Sequence, residues 1–287
     1  MRYWTIAGFL GLSLLWGSEW ILTASVPAEP HLRALAIRYG LGAVLLLPWA
    51  IRRRMWRRPL RTVGNALIVG TGILCLPQIL IAVSAEHLSP AITLAAVGAV
   101  PVLLAISGRL TITTAVCGLG GVLFLAADGL SIAMRQVPWL LFPLAAAAVL
   151  AWALAAAEKH LPEISMVEAM FGQFAISALL LSIASPLLEH EAVTWSATAG
   201  LGFVVDSAFM TVCGYLLFYW LLGKSGAGRV SMLQWAQPLV ATAESVVLVH
   251  ISPDWSAVAG AILVVLAIVW AFSDWGDQGV ILEITQT

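Results

Sequence analysis

Ionisable side chains are scarce in this sequence, and four of them fall where apolar surroundings leave them little water: Glu19, Arg38, Asp206 and Glu244. A charged group at membrane depth is costly, so such a residue faces a cavity, pairs with a partner or moves a proton. Asp206 lies about twelve residues into its apolar run, near the middle of a span. Two chemistries are open to it. It is a protonatable group that couples transport to a proton, or a neutral acid held by a hydroxyl or carbonyl of a neighbouring helix. Burial would favour the protonated form in both cases. Glu19 and Arg38 sit at matching depths, about seven and six residues from the same end of consecutive runs. They are expected to pair, as a fixed bridge closing one face or as a gate that breaks and re-forms. Glu244 lies in the same half of a later run and is an alternative partner for Arg38.

Gln78 follows Pro77 inside an apolar run. Proline lacks an N–H and frees a carbonyl one turn back. The amide beside it either faces a cavity, where it could hold a zwitterion, or satisfies the loosened backbone. Pro101 and Pro238 are placed to kink two further runs, as hinges for alternating access or as static bends shaping a cavity. Of the 13 tryptophans, Trp4, Trp49, Trp56, Trp139, Trp195, Trp255 and Trp275 lie near run ends and read as interfacial belt residues. Trp16, Trp20, Trp152, Trp220, Trp235 and Trp270 lie deeper. A buried indole needs a partner for its N–H, so deep tryptophans are expected to face the bundle. Trp16, Trp20, Trp152 and Trp235, with Gln78, are the candidate substrate-binding residues.

The five histidines (His31, His87, His160, His190, His250) fall at run ends, and no two are three or four apart on one helix. That speaks against a haem-ligating bundle or an intramembrane metal enzyme. Cys75, Cys117 and Cys213 are odd in number and match no metal spacing, so they read as small buried hydrophobes. No metal, cofactor or catalytic residue is expected.

The elements that position these residues follow from composition. The chain has 287 residues, 61% hydrophobic and 10% charged, against about 25% charged in a soluble domain. Its mean hydropathy is +0.97. Ten spans of roughly 20 residues would take most of the chain and leave only tails and short loops. No separate soluble domain fits, which excludes a receptor kinase, an ATP-driven pump and an anchored soluble enzyme. A net charge of −1 offers no basic surface to nucleic acid.

Hydropathy places ten spans at about 3–26, 32–51, 62–85, 90–108, 111–130, 138–157, 165–188, 194–222, 228–250 and 255–273. The first is longer than a signal peptide's apolar stretch, and Glu19 interrupts it, so it reads as an uncleaved helix. The residues after Asp274 form a short polar tail. Alternating the faces puts Arg2, the six arginines of 52–61, Arg109, Lys159, Lys224 and Arg229 on one side, 11 of the 14 basic residues. Arg33, Arg38 and Arg135 fall on the other. The positive-inside rule then makes both termini cytoplasmic.

A duplication is also legible. Trp16 precedes Pro101 by 85 residues, and Trp152 precedes Pro238 by 86. Moved forward by 137 residues, the basic loop at 52–61 falls on Glu189, His190 and Glu191. A five-span unit crosses the membrane an odd number of times, so its second copy enters upside down, and opposite loop charges follow. The reading is an all-α membrane protein of ten transmembrane helices in two inverted five-helix repeats, residues 1–132 and 133–274, with a tail at 275–287.

This arrangement resembles the drug/metabolite transporter superfamily of the EamA type. The likeness rests on Leu15-Trp16-Gly17-Ser18, on Arg33 and Arg38, on Ser89-Pro90-Ala91 with Pro101, on Gly118, Gly120 and Gly121, and on Gln237-Pro238 with Glu244. The last is a partial match, because Ala243 stands where the family often has glycine. The many tryptophans and short loops look most like the YddG-type amino-acid exporters, and that likeness alone implies the amino-acid substrate class. The expected function is secondary export of small metabolites, amino acids with aromatic or neutral side chains foremost, across a bacterial inner membrane. A carrier of another metabolite, such as a nucleotide sugar or a drug, is the alternative within transport. An intramembrane enzyme or scramblase is the alternative outside it. The expected partners are the small substrate and the lipid bilayer, and no oligomeric partner is indicated.

Overall fold

The computed structural model describes residues 2–19, 30–52, 60–160, 165–189, 197–250 and 252–273. Among these the regular elements are all helical. In the absence of water every backbone group must be paired within its own segment, which is why apolar runs of this length fold as helices.

The chain opens with α1 (Arg2–Gly17), followed by α2 (His31–Arg52). Next come α3 (Leu60–Gly70), a π-helical turn at Thr71–Cys75, and α4 (Leu76–Ala85) as one continuous rod. Two short helices, α5 (Pro90–Val97) and α6 (Val100–Ile106), precede α7 (Ile112–Leu125). The second half holds α8 (Leu141–His160), led in by a 3₁₀ turn at Met134–Leu140, and α9 (Met166–Leu188). A second rod joins α10 (Ala197–Asp206), a π-helical turn at Ser207–Cys213, and α11 (Gly214–Ser231). Last are α12 (Leu233–Leu248) and α13 (Trp255–Ser273). Among the described residues six segments are long and apolar enough to cross a membrane: His31–Arg52, Val63–Ala85, Met134–His160, Met166–Leu188, Gly200–Ser231 and Trp255–Ser273.

Helix ends are set by side chains. Ser89 accepts from the Ile92 N–H ahead of Pro90, and Thr111 accepts from Thr114 N–H. Ser165 and Glu168 form a reciprocal capping box. Glu189, at the end of α9, takes the Leu32 and Arg33 N–H groups at the start of α2, at 2.6 and 3.2 Å. The carboxylate sits where α2 leaves donors unpaired and its dipole is positive.

Three pairings set the core. α2 packs along α9, and Tyr39 stacks on Phe174 with ring centroids 5.6 Å apart. α7 packs along α13, where Gly121 and Gly260 let the backbones meet: a Cβ on Gly260 would lie 2.6 Å from the Gly121 carbonyl. Small residues allow such approach where packing rather than hydrophobicity drives association. Buried Gln173 of α9 donates to the Ala66 carbonyl at 3.1 Å and accepts from the Tyr219 hydroxyl, tying α3 to α11. It fits because Gly70 has no side chain: a Cβ there would lie 2.1 Å from Gln173 Cγ.

The two candidate hinge prolines differ. Pro101 stands in the first turn of α6, after a break at Gly98–Ala99. Pro238 lies within the unbroken α12. Proline at the start of a helix loses nothing, because the missing N–H would have been unpaired.

Candidate functional site

A cavity of about 250 Å³ lies among α1, α2, α4, α8, α11 and α12. Arg38 dominates its wall. Its guanidinium lies between two carboxylates, reaching Glu19 through Nη1 and Asp206 through Nε. Arg38 and Asp206 are nearly buried, at 11% and 14% side-chain exposure, while Glu19 at 32% is wetter. The expected Glu19–Arg38 pair is therefore present. Asp206 is neither isolated nor held by a hydroxyl; it is the second carboxylate of the same cluster. Planar guanidinium presents several donors in a fixed fork, so one arginine can serve both acids. Glu244 accepts from Ser18 Oγ, next in sequence to Glu19, and so borders the cluster.

Aromatic rings supply the other wall. Trp16, Tyr39, Tyr215 and Phe218 all face the cavity. Trp16 lies 5.0 Å from Tyr215 and 5.6 Å from Phe218, centroid to centroid. Its indole Nε1 donates to the Met210 carbonyl at 2.9 Å, inside the π-helical turn. Gly214 makes room: a Cβ there would lie 2.5 Å from that nitrogen. A π turn disturbs the regular i→i−4 ladder and commonly marks a functional position, and here the indole serves one of its carbonyls. Gln78 also lines the cavity, with its Oε1 3.0 Å from His31 Nε2.

Several expectations need correction. Trp152 does not line this cavity; it is 53% exposed and faces a separate surface groove. Its ring lies beside Gly72, and the alanines flanking it leave space on the outer side. Trp235 is fully buried, donates to the Gly98 carbonyl at 2.8 Å and covers Gly118, so it packs helices rather than meeting solute. His31, at a run end in the sequence, stands at the cavity wall. Arg38, expected as the partner of Glu19, also stands in the cavity wall. Trp20 lies outside the described residues. Pro101 and Pro238 are not among the lining residues, although Gln237 is.

Tyr39, Tyr215, Phe218 and Gln234 carried no expectation from the sequence, and Gln237 entered only through the Gln237-Pro238 likeness. Two signals pointed to them. Gln234 and Gln237 are amides three apart in an apolar helix, hence on one face. Tyr215 and Phe218 share that spacing on α11.

Further along α8 and α11, past the cavity, the helices close on one another. Arg109 Nε lies 3.3 Å from Glu158 Oε2. Gly226 takes φ +77°, a conformation that favours glycine, with Glu158 against it. Gly228 is pressed onto the Arg109 main chain: a Cβ would lie 1.9 Å from the carbonyl oxygen.

Comparison with known proteins agrees with this architecture. An uncharacterized transporter, YvbV of Bacillus subtilis (strain 168), is 24% identical over 270 residues, covering 90% of this chain and 88% of that protein. A solved crystal structure superposes with a TM-score of 0.75 over 92% of this chain and 94% of its own, at 19% identity, a likeness of fold. The second half of this multi-pass membrane protein, residues 137–273, matches the EamA-like transporter family.

Proposed function

We propose that this protein is a secondary exporter of small metabolites, amino acids with neutral or aromatic side chains foremost, working by alternating access in a bacterial inner membrane. The observation that carries this reading is the cavity itself, with an aromatic wall facing an arginine held between two carboxylates. A zwitterion has one group for each side of that cluster: its carboxylate for Arg38, its ammonium for Glu19. An anionic side chain would meet the Glu19 carboxylate in the wall and compete with carboxylates already paired to Arg38. The volume favours the same class. About 250 Å³ lies below the roughly 300–1,000 Å³ of pockets for drug-sized ligands, which disfavours a nucleotide sugar. Asp206 is the candidate coupling group, because protonating it would release one arm of Arg38.

The proposed architecture has ten spans in two inverted halves, 1–132 and 133–274, with both termini cytoplasmic. Its support is reciprocal packing. The π-helical turns begin at Thr71 and Ser207, 136 residues apart, the same offset as Trp16 and Trp152. Trp16 of the first half packs on the second half's π turn, and Trp152 of the second half packs on the first half's, beside Gly72. Exchange of equivalent contacts is what a twofold relation produces. In this scheme the Arg109–Glu158 contact closes the cytoplasmic face while the central cavity faces outward. Uptake of radiolabelled phenylalanine into proteoliposomes of the purified protein tests the reading. Saturable uptake supports a carrier; flux that never saturates, or none, removes it.

A further inference from the structure

The groove beside Trp152 is separate from the central cavity. It has a volume of about 430 Å³ and runs between α3 and the last three turns of α8. Trp152 lies at one end and Lys159 and His160 at the other. The seven residues from Trp152 to Lys159 cover roughly 10 Å of helix axis. Between them Ala155 and Ala156 keep the floor low, and Ile68 and Val69 of α3 form the facing wall. Asn65 adds an amide near the basic end. The surface is therefore graded along its length: an indole and aliphatic carbons at depth, then an amide, an ammonium and an imidazole at the helix end.

That gradient is the profile of a phospholipid. We propose that this groove holds one anionic phospholipid, its phosphate at Lys159 and His160 and the upper part of one acyl chain along Ala155 and Ala156 to the face of Trp152. Charge decides for an anionic headgroup over a zwitterionic one. The acid next to Lys159 in sequence, Glu158, is turned to Arg109. Among the described residues no carboxylate lies within ion-pairing distance of Lys159. An anionic headgroup brings a net negative charge to this basic end, which zwitterionic phosphatidylcholine does not. Basic pockets between spanning helices are known to take anionic headgroups in this way. The site borders the transport path: Trp152 packs beside Gly72, and the next residue, Ile73, lines the central cavity.

Bromine on lipid tails quenches tryptophan at contact distance, which gives a direct test. The full-length protein is reconstituted in phosphatidylcholine vesicles containing a minor fraction of tail-brominated phosphatidylglycerol. Matched vesicles carry the same fraction of bromine on phosphatidylcholine instead. The brominated phosphatidylglycerol should quench more, and that excess should vanish in Trp152→Phe. In Lys159→Gln the phosphatidylglycerol concentration for half-maximal excess should rise roughly fivefold, the value of one basic residue at a charged surface. Equal quenching by the two lipids overturns the proposal, as does an excess that survives Trp152→Phe. Lys159 is exposed, so Lys159→Gln carries the test even if Trp152→Phe reconstitutes poorly; a parental phosphatidylglycerol dependence in that variant overturns it too.

Discussion

The indole of Trp16 and the carbonyl of Met210 lie 194 residues apart in sequence and 2.9 Å apart in space. This bond joins the end of α1 to the π turn before α11 and sets the aromatic wall beside Arg38. It makes Trp16 both a lining residue and a structural donor.

Trp16 and Trp152 should therefore behave differently on substitution. Trp16→Ala removes a ring that faces the cavity, and aromatic contacts are worth about 0.5–1.5 kcal/mol. Apparent affinity for phenylalanine should fall by roughly three- to tenfold. Trp152→Ala, outside the cavity, should leave that affinity within about twofold of the parent. Concentration dependence of uptake in proteoliposomes at matched protein content measures both. Equal losses in the two variants would mean that the cavity extends to Trp152.

Arg38 should tolerate no replacement. Arg38→Gln leaves Glu19 and Asp206 facing each other without a cation, and removing one partner from a buried charge cluster costs about 3–5 kcal/mol. Arg38→Lys keeps the charge but loses the fork that serves two acids, so it should restore less than a tenth of uptake. Glu19→Gln should partly rescue Arg38→Gln by removing one uncompensated charge. Thermal unfolding in detergent and uptake, measured together, check the series. A fully active Arg38→Lys would show that geometry at this cluster is unimportant.

The closed end offers a conformational prediction. Gly228→Ala places a methyl against the Arg109 carbonyl, and a contact 1.9 Å away cannot be absorbed without movement. The two segments should separate there. Ser231→Cys, in a background lacking Cys75, Cys117 and Cys213, should then label faster from the Arg109 face when Gly228→Ala is added. Unchanged labelling would mean that this contact does not seal the cavity.

Orientation follows from the 11-to-3 division of basic residues. A cysteine at position 190 should react with an impermeant thiol reagent in intact cells, and one at position 57 should not. The reverse pattern would overturn the orientation and the inverted halves with it.

Much of this was legible in the sequence because the bilayer allows few solutions. Apolar run length fixed most helices to within a few residues, and Ser89, Thr111 and Ser165 start theirs as capping chemistry requires. The pairing of Glu19 with Arg38 followed from matched depth. The third member, Asp206, did not, because depth along a helix says nothing of which neighbour it faces. The two π turns were equally hidden; Pro77 hints at one, but Ser207–Cys213 contains no breaker. Trp152 and Trp235 failed as lining residues for opposite reasons. One has small neighbours that open a surface groove beside it, and the other finds a carbonyl partner within the packing. Sequence depth is the same for both, and only the neighbours differ.

The central claim is a carrier whose site accepts a neutral or aromatic zwitterion and rejects an anionic side chain. Competition against labelled phenylalanine in proteoliposomes tests it most directly. Unlabelled tryptophan and leucine should inhibit uptake at concentrations at least about tenfold lower than glutamate, a difference of about 1.4 kcal/mol in binding. Equal inhibition by glutamate and phenylalanine would contradict it.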